Sequence, residues 1–155
     1  MQNHFMQRAI DLAIENVKAR RGGPFGAVVV RDNTILVEGT NLVTSTLDPT
    51  AHAEVTAIRN ACRAIQNFQL EGCEIYTSCE PCPMCLGAIY WARPDRVYYA
   101  CTRADAAAAG FDDAYIYDQL PVPPEQRAIP MLELMRTEAQ AAFEAWRKLA
   151  ARIDY

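Results

Sequence analysis

A change from strand to helix is encoded in residues 76–85, YTSCEPCPMC. A β-rich run precedes this stretch and predicts a strand, whereas prolines followed by apolar residues at helical spacing predict a helix over 81–91. Three cysteines cross the turn at equal spacings of three: Cys79, Cys82 and Cys85. Thiols at this spacing are compatible with a redox pair, with three ligands of an iron–sulfur site, or with a zinc site that leaves one thiol unused.

The patterns on either side of this turn alternate between helix and strand. Apolar residues at helical spacing predict a helix over 4–20, and two β-rich runs around an Asp-Asn pair predict a hairpin over 27–39. Thr50 is predicted to cap a helix over about 51–65, and a further strand is predicted over 96–101. This alternation predicts an α/β/α layered sheet.

The C-terminal third is patterned differently. Short helical pieces are predicted over 104–120, and four prolines within 121–130 predict a stiff linker arm. Residues 131–155 are predicted to form a helix that closes the chain. A length of 155 residues is suited to a single domain with its own core, so 1–155 is expected to be one domain.

Composition excludes some functional classes. A net charge of −4 argues against a nucleic-acid binder, which normally presents a basic face. The first twenty residues hold no apolar run long enough for a signal peptide or a membrane span, so we expect no membrane partner and a cytoplasmic location. In a reducing compartment, six cysteines in 155 residues favour metal binding or catalysis over disulfides.

Two predicted helix starts carry residues that bind metals. Cys82 and Cys85 are three positions apart, so they share one face of a helix, in the first turn, where the helix dipole stabilises thiolates. His52 stands at the start of the other helix. One imidazole nitrogen and two thiolates make three zinc ligands and leave the fourth tetrahedral position open to water, as in catalytic zinc sites.

Glu54 follows His52 by two positions, a spacing that does not share a face within a helix. Both residues can point to one site only if they stand at the very end of the helix. Zinc lowers the pKa of a bound water to about 7, and a carboxylate beside that water can act as general acid and base. We therefore expect Glu54 to be the catalytic proton shuttle.

The alternatives make weaker use of these residues. An iron–sulfur site of this spacing needs a fourth cysteine where Ile89 stands. A redox pair of Cys79 and Cys82 leaves His52 and Glu54 without a role, and a purely structural zinc gains nothing from an acid beside its open position. The remaining cysteines have no partner spacing and are expected to be small core residues: Cys62, Cys73 and Cys101.

The pair of motifs HAE and SCEPCPMC resembles the cytidine deaminase superfamily of zinc nucleobase deaminases. The segments TSCEPCPMCLGAIYWARPDRVYYA, AGFDDAYIYDQL and FEAWRKLAARIDY resemble the bacterial guanine deaminases over nearly the whole chain. This resemblance implies a CMP/dCMP-type deaminase domain: a three-layer α/β/α sandwich with a mixed five-stranded sheet and a C-terminal helical segment. It also implies one Zn²⁺ per chain and hydrolysis of guanine to xanthine and ammonia. Guanosine deaminase and tRNA adenosine deaminase are the alternatives.

The same resemblance implies roles for particular residues. His52, Cys82 and Cys85 would hold zinc, and Glu54 would move protons. The substrate-binding set would be Asn41 on the purine, Phe25 and Trp91 on its ring, Asp113 on the guanine N1 and 2-amino edge, and Tyr155 closing the pocket. The family further implies a homodimer in which 131–155 are exchanged.

Each substrate-binding role has a structural alternative. Asp112 is the other possible reader of the guanine edge, and either aspartate could cap a helix instead. Trp91 could belong to the core and Asn41 could shape a turn, while Tyr155 contributes only if the C-terminus docks.

A tRNA adenosine deaminase should carry a basic surface for its RNA. The segment 131–155 shows no excess of Lys and Arg over Asp and Glu, which favours a small purine substrate and no nucleic-acid partner.

Overall fold

A computed structural model describes residues 3–155, and the chain divides into two compact units, Met1–Asp113 and Ala114–Tyr155. The first unit contains, in chain order, α1 (Asn3–Lys18), β1 (Gly26–Arg31), β2 (Thr34–Thr40), α2 (Val43–Thr46), α3 (Ala53–Ile65), β3 (Cys73–Cys79), α4 (Pro83–Ala92), β4 (Arg96–Cys101) and α5 (Arg103–Ala108). The second unit contains α6 (Ala114–Gln119), a 3₁₀ turn (Pro124–Gln126) and α7 (Arg136–Lys148).

The strands form a mixed sheet in the order β2-β1-β3-β4. Strand β1 is antiparallel to both β2 and β3, and β3 is parallel to β4. The predicted hairpin is confirmed: Asp32 and Asn33 both have positive φ, 50° and 57°, as a tight hairpin turn requires. Residues 3–155 form four strands rather than the five that the resemblance implied.

The sheet is covered on both faces, which confirms the three-layer α/β/α architecture. On one face, α1 packs Phe5 and Leu12 against side chains of the sheet. On the other face, small and branched residues of α3 and α4 pack against the opposite side of the same strands. The buried strand residues of the two faces alternate along β1: Val28 and Val30 on the α1 side, Ala27 and Val29 on the α3 and α4 side.

Helix α3 lies unusually close to β2. A Cβ at Gly39 would stand 2.5 Å from the Ala53 carbonyl oxygen and 2.6 Å from the Ala57 nitrogen, a separation that non-bonded atoms do not adopt. Only glycine therefore allows the first turn of α3 to rest on this strand. The contact fixes where α3 begins relative to the sheet.

The two helices that carry the metal-binding motifs begin later than the sequence predicted. Helix α3 starts at Ala53 with His52 as its N-cap, so the prediction of Thr50 as the cap was wrong. Thr50 instead donates its backbone N–H and its hydroxyl to Asp48 Oδ1, at 2.8 Å and 2.7 Å, and this local turn replaces the first helical residues. Helix α4 starts at Pro83, with Cys82 as its N-cap.

The second unit is described by itself. Residues 131–155 were predicted to be one helix, but α7 ends at Lys148 and the tail beyond it is irregular. The proline-rich segment 121–130 holds one short 3₁₀ turn, which the prediction of an irregular arm had not included. None of residues 114–155 is buried, and their large apolar side chains are exposed.

Across residues 3–155, no helix combines the length and the apolar character that crossing a membrane would require.

Candidate active site

Two helix starts converge beside the ends of the strands and create the candidate metal centre. His52 and Cys82 are the N-caps of α3 and α4, and Cys85 lies in the first turn of α4. Free N–H groups and the positive end of the helix dipole are concentrated at such positions. The site therefore favours the negative charge of thiolates.

The ligand atoms of these residues are close together. The Sγ atoms of Cys82 and Cys85 each lie 3.5 Å from His52 Nδ1, and all three ligand atoms fall within 4.8 Å of one another. Tetrahedral zinc with ordinary Zn–S and Zn–N bond lengths separates a sulfur and a nitrogen ligand by about 3.5 Å. The cluster is thus shaped for zinc before any side chain moves.

The two thiols interact strongly with each other. Hydrogen bonds from Cys85 and from His52 together lower the pKa of Cys82 to about 4, against the opposing effect of burial. The same Cys82 charge and the burial of Cys85 raise the pKa of Cys85. The pair can therefore carry two negative charges only next to a cation, which is what a divalent zinc ion supplies.

Glu54 points into the same cluster. Its side chain is buried, at 6% exposed, and its Oε2 lies 3.4 Å from Cys85 Sγ. Thr77 donates its hydroxyl to the other oxygen, Oε1, at 3.3 Å. Burial raises the pKa of Glu54, so the carboxyl takes up a proton more readily than an exposed glutamate does. The expectation that His52 and Glu54 meet only at a helix end is confirmed.

The loops beside the metal cluster carry Asn41 and Phe25. Asn41 is 7% exposed, and its Oδ1 accepts the backbone N–H groups of Gly23 and Val43, at 3.1 Å and 3.3 Å. The ring of Phe25 meets that of Phe111 edge to face, with centroids 5.0 Å apart. The Asn41 side chain thus holds the shape of its loop, which is the structural role given above as the alternative to purine binding. Its amide nitrogen stays available to a ligand.

Asp113 is the last residue of the first unit and is half-buried. Partial burial raises the pKa of its carboxyl, Arg103 lowers it, and the negative charge at Cys82 raises it again. The role of Asp113 on the guanine edge remains a prediction.

The side chains of Trp91 and Tyr155 are both exposed. Trp91 is 65% exposed near the end of α4, and nine residues of helix separate it from Cys82, about 13 Å along the axis. Tyr155 ends the second unit and is 70% exposed. Their proposed pocket roles remain predictions.

The other cysteines lie outside the cluster, which among residues 3–155 consists of His52, Cys82 and Cys85. Cys79 ends β3 and directs its sulfur to the Thr102 carbonyl oxygen, at 3.6 Å. Cys73 is buried and Cys62 half-buried, as expected of small apolar residues. Cys101 is exposed, so its prediction as a core residue was wrong; it lies on β4, which has no neighbour on its outer side within residues 3–155.

Two residues near the site were not predicted from the sequence. Thr77 was read only as part of a strand, yet it is 1% exposed and orients Glu54. Phe111 was given no role, yet it packs on Phe25.

The fold and the cluster together define a zinc-binding nucleobase deaminase domain. Residues 1–101 match the family described as the cytidine and deoxycytidylate deaminase zinc-binding region. This match covers more than half of the chain, and the chain belongs to that family.

Comparison with individual proteins shows which members of the family this chain resembles. The chain is 56% identical to the guanine deaminase of Bacillus subtilis over 155 residues, which is 99% of each protein. The crystal structure of guanine deaminase from that organism superposes with a TM-score of 0.98 and 55% identity, covering 100% of this chain and 99% of that one. A tRNA-specific adenosine deaminase of Aquifex aeolicus is 43% identical over 77 residues, 50% of this chain and 51% of its own length. A protein solved in complex with 2,6-diaminopurine is 33% identical, with a TM-score of 0.66 over 70% of this chain and 61% of that one.

Proposed function

We propose that this protein is a zinc-dependent aminohydrolase that converts guanine and water to xanthine and ammonia. The observation that carries the proposal is the buried carboxylate of Glu54, 3.4 Å from a sulfur of a three-ligand zinc cluster. A structural zinc site has no use for such an acid at its open position. The 56% identity to a guanine deaminase over the whole chain supports guanine as the substrate.

In this proposal His52, Cys82 and Cys85 hold one zinc ion per chain. When bound, zinc supplies a Lewis acid that makes water a nucleophile near neutral pH. The two helix N-termini stabilise the thiolates, and the close contact at Gly39 fixes the start of α3 against β2.

Glu54 carries the protons. Its carboxylate takes a proton from the water that attacks the carbon bearing the 2-amino group and passes it to a ring nitrogen. It then takes the proton of the new hydroxyl on that carbon and passes it to the amine, which leaves as ammonia. The pKa of Glu54, raised by burial, suits a group that must both take and give a proton. The hydrogen bond from Thr77 to Oε1 holds the carboxylate in one orientation.

The purine is recognised on three sides. Asn41 donates its amide N–H to the ring, Phe25 packs on the ring face, and the Asp113 carboxylate accepts the N1–H and 2-amino protons. Adenine does not present that pair of donors. A partly buried carboxylate facing two N–H groups therefore discriminates for guanine.

The two alternative activities, guanosine deaminase and tRNA adenosine deaminase, act on substrates larger than the free base guanine. The tRNA-specific adenosine deaminase of Aquifex aeolicus aligns over 77 residues, 50% of this chain, whereas the guanine deaminase of Bacillus subtilis aligns over 99% of it. We expect ammonia release from guanine and none above background from adenine, cytosine or an anticodon stem-loop RNA. Turnover of the RNA in place of guanine would make the protein a tRNA deaminase.

The role of Asp113 gives a specific prediction. Asp113→Asn replaces one acceptor by an N–H₂ donor that faces the donors of guanine, so kcat/KM for guanine should fall about 100-fold or more. Steady-state ammonia assays on the purified variant measure this loss, with zinc content unchanged.

Asp112→Asn is the matched control, since it removes the same charge one residue away. We expect that variant to retain guanine turnover. If Asp112→Asn loses activity while Asp113→Asn keeps it, the two aspartates must be exchanged in the assignment.

We infer that two chains exchange their C-terminal segments in a homodimer. Residues 114–155 bury none of their side chains, and most of the large apolar ones are exposed. Phe143, Leu149 and Ile153 are each more than half exposed. Exposed apolar surface of this extent is typical of a segment with a partner. Tyr155 would then close the pocket of the partner subunit, and the proline-rich 121–130 would be the arm.

Light scattering tests the dimer directly. A mass of two chains is expected at micromolar concentration, and a monomer with full activity would contradict the exchange.

We also place the enzyme in the cytoplasm, because its chemistry needs Cys82 and Cys85 as reduced thiolates, and the six cysteines are free.

A further inference from the structure

Asn16 links two loops from inside the protein. It lies near the end of α1 and is fully buried, at 0% exposed. Its Nδ2 donates to two main-chain carbonyl oxygens, that of Gly23 at 2.9 Å and that of Asn41 at 2.8 Å. Because both neighbours are acceptors, the amide must turn its nitrogen toward them. One side chain of α1 therefore ties the loop after α1 to the loop after β2.

The Asn41 side chain is oriented by the same loop. Its Oδ1 accepts the Gly23 N–H at 3.1 Å and the Val43 N–H at 3.3 Å. The Nδ2 group consequently faces away from these donors, and residues 3–155 offer it no hydrogen-bond acceptor. Asn41 can thus present an N–H donor to a ligand, in a direction that depends on the position of Gly23.

The two loops also meet backbone to backbone. A Cβ at Gly22 would lie 2.1 Å from the Asn41 carbonyl oxygen, the same oxygen that accepts from Asn16. The Asn41 N–H donates to the Phe25 carbonyl oxygen at 3.1 Å, and the Phe25 N–H donates to Gly23 at 2.9 Å. Asn16 is the side chain that joins this backbone network to α1.

The amide of Asn16 is not a fully satisfied core group. Its Oδ1 is buried without a hydrogen-bond partner within the part of the chain that the structure describes. A buried acceptor without a partner lowers stability, so packing alone does not account for this residue. What the side chain contributes is two donated hydrogen bonds, one to a carbonyl oxygen on each loop.

From this geometry we propose that Asn16 is a positioning residue for substrate binding, which sets the orientation of Asn41 and Phe25 without touching the purine. The inference rests on the proposed function, since it takes the purine contacts of Asn41 and Phe25 as given. It adds a residue on α1, outside both metal-binding motifs, that determines how tightly guanine is held.

Replacing Asn16 with alanine tests the proposal. Loss of both donated bonds lets the two loops shift, so kcat/KM for guanine should fall about 10- to 100-fold, mainly through KM. Zinc content should stay at the wild-type value because the ligands stand on α3 and α4. Phe5→Leu is the matched control: it loosens the other end of α1 against the sheet, and KM should be unchanged.

A double-mutant cycle with Asn41→Ala separates positioning from general destabilisation. If Asn16 acts through Asn41, then adding Asn16→Ala to Asn41→Ala should change KM much less than Asn16→Ala does alone. Full additivity in kcat/KM, an unchanged KM in Asn16→Ala, or an equal rise of KM in Phe5→Leu would each overturn the proposal.

Two further results keep the outcome unambiguous. Should Asn16→Ala not fold, Asn16→Ser, whose hydroxyl can donate only one of the two bonds, carries the same expectation of a raised KM. A wild-type enzyme that holds zinc but releases no ammonia from guanine would remove the proposed function and this inference with it. A wild-type enzyme active on guanine with an unaffected Asn16→Ala variant would remove this inference alone.

Discussion

Replacing Glu54 with glutamine is expected to abolish ammonia release from guanine while leaving one zinc ion in each chain. Glutamine has almost the same shape but cannot exchange protons with water or with the leaving amine. General acid and base groups contribute about 10²- to 10⁴-fold each, and Glu54 would serve in both roles, so the loss should reach at least about 10³-fold in kcat. Steady-state ammonia assays and metal analysis of the same sample measure the two expectations.

A matched control distinguishes proton transfer from a change in the fold. Glu74 lies near the start of β3, at the opposite end of the strand from Cys79, and accepts a hydrogen bond from Tyr76 at 2.9 Å. Glu74→Gln should keep activity within a few-fold of wild type. Full activity in the Glu54→Gln variant would exclude Glu54 as the proton shuttle. Loss of zinc from that variant would mean that Glu54 has a structural role.

Replacing Cys85 with alanine should remove both the zinc and the activity. Cys85 is fully buried, and its sulfur is 3.5 Å from His52 Nδ1, so no other thiol can take its place without moving α4. A site left with one thiolate and one imidazole has two ligands and cannot hold zinc firmly. Metal analysis after purification and dialysis should find far less zinc than in wild type.

Cys79→Ala is the control for the removal of a thiol. Cys79 is also buried and lies three residues before Cys82, yet its sulfur faces the Thr102 carbonyl oxygen. Among residues 3–155, the clustered ligand atoms belong to His52, Cys82 and Cys85, and the Cys79 sulfur is not one of them. This variant should keep its zinc. A Cys79→Ala protein without zinc, or a Cys85→Ala protein that retains it, would contradict the assignment of the ligands.

The layered fold was predictable because local patterns and tertiary packing agree. Val28 and Val30 alternate with Ala27 and Val29 in β1, and the two sets do pack on opposite faces. The Asp32-Asn33 pair predicted the hairpin, since both residues tolerate positive φ.

The errors arose where a competing interaction is not visible in the pattern. Thr50 has the chemistry of a helix cap, but Asp48 binds it in a tight turn and His52 becomes the cap. The fifth strand that the resemblance implied was not found, and the sheet of residues 3–155 has four strands. A strand is defined by its neighbour, and sequence alone does not supply the neighbour.

The metal cluster was predictable for a different reason. Zinc demands a small set of ligand types, and two helix starts with the spacings of His52–Glu54 and Cys82–Cys85 satisfy that demand in one way. Thr77 and Asn16 were not predictable, because each acts through a hydrogen bond to a residue more than five positions away. Such partners become evident only once the chain is folded.

A product assay on guanine and guanosine shows directly whether this zinc site deaminates guanine as the free base. Zinc-loaded protein should release ammonia from guanine, with xanthine formed in equal amount, and should leave guanosine unchanged. Release of ammonia from guanosine without turnover of guanine would contradict the account, because the pocket would then have to admit a ribose.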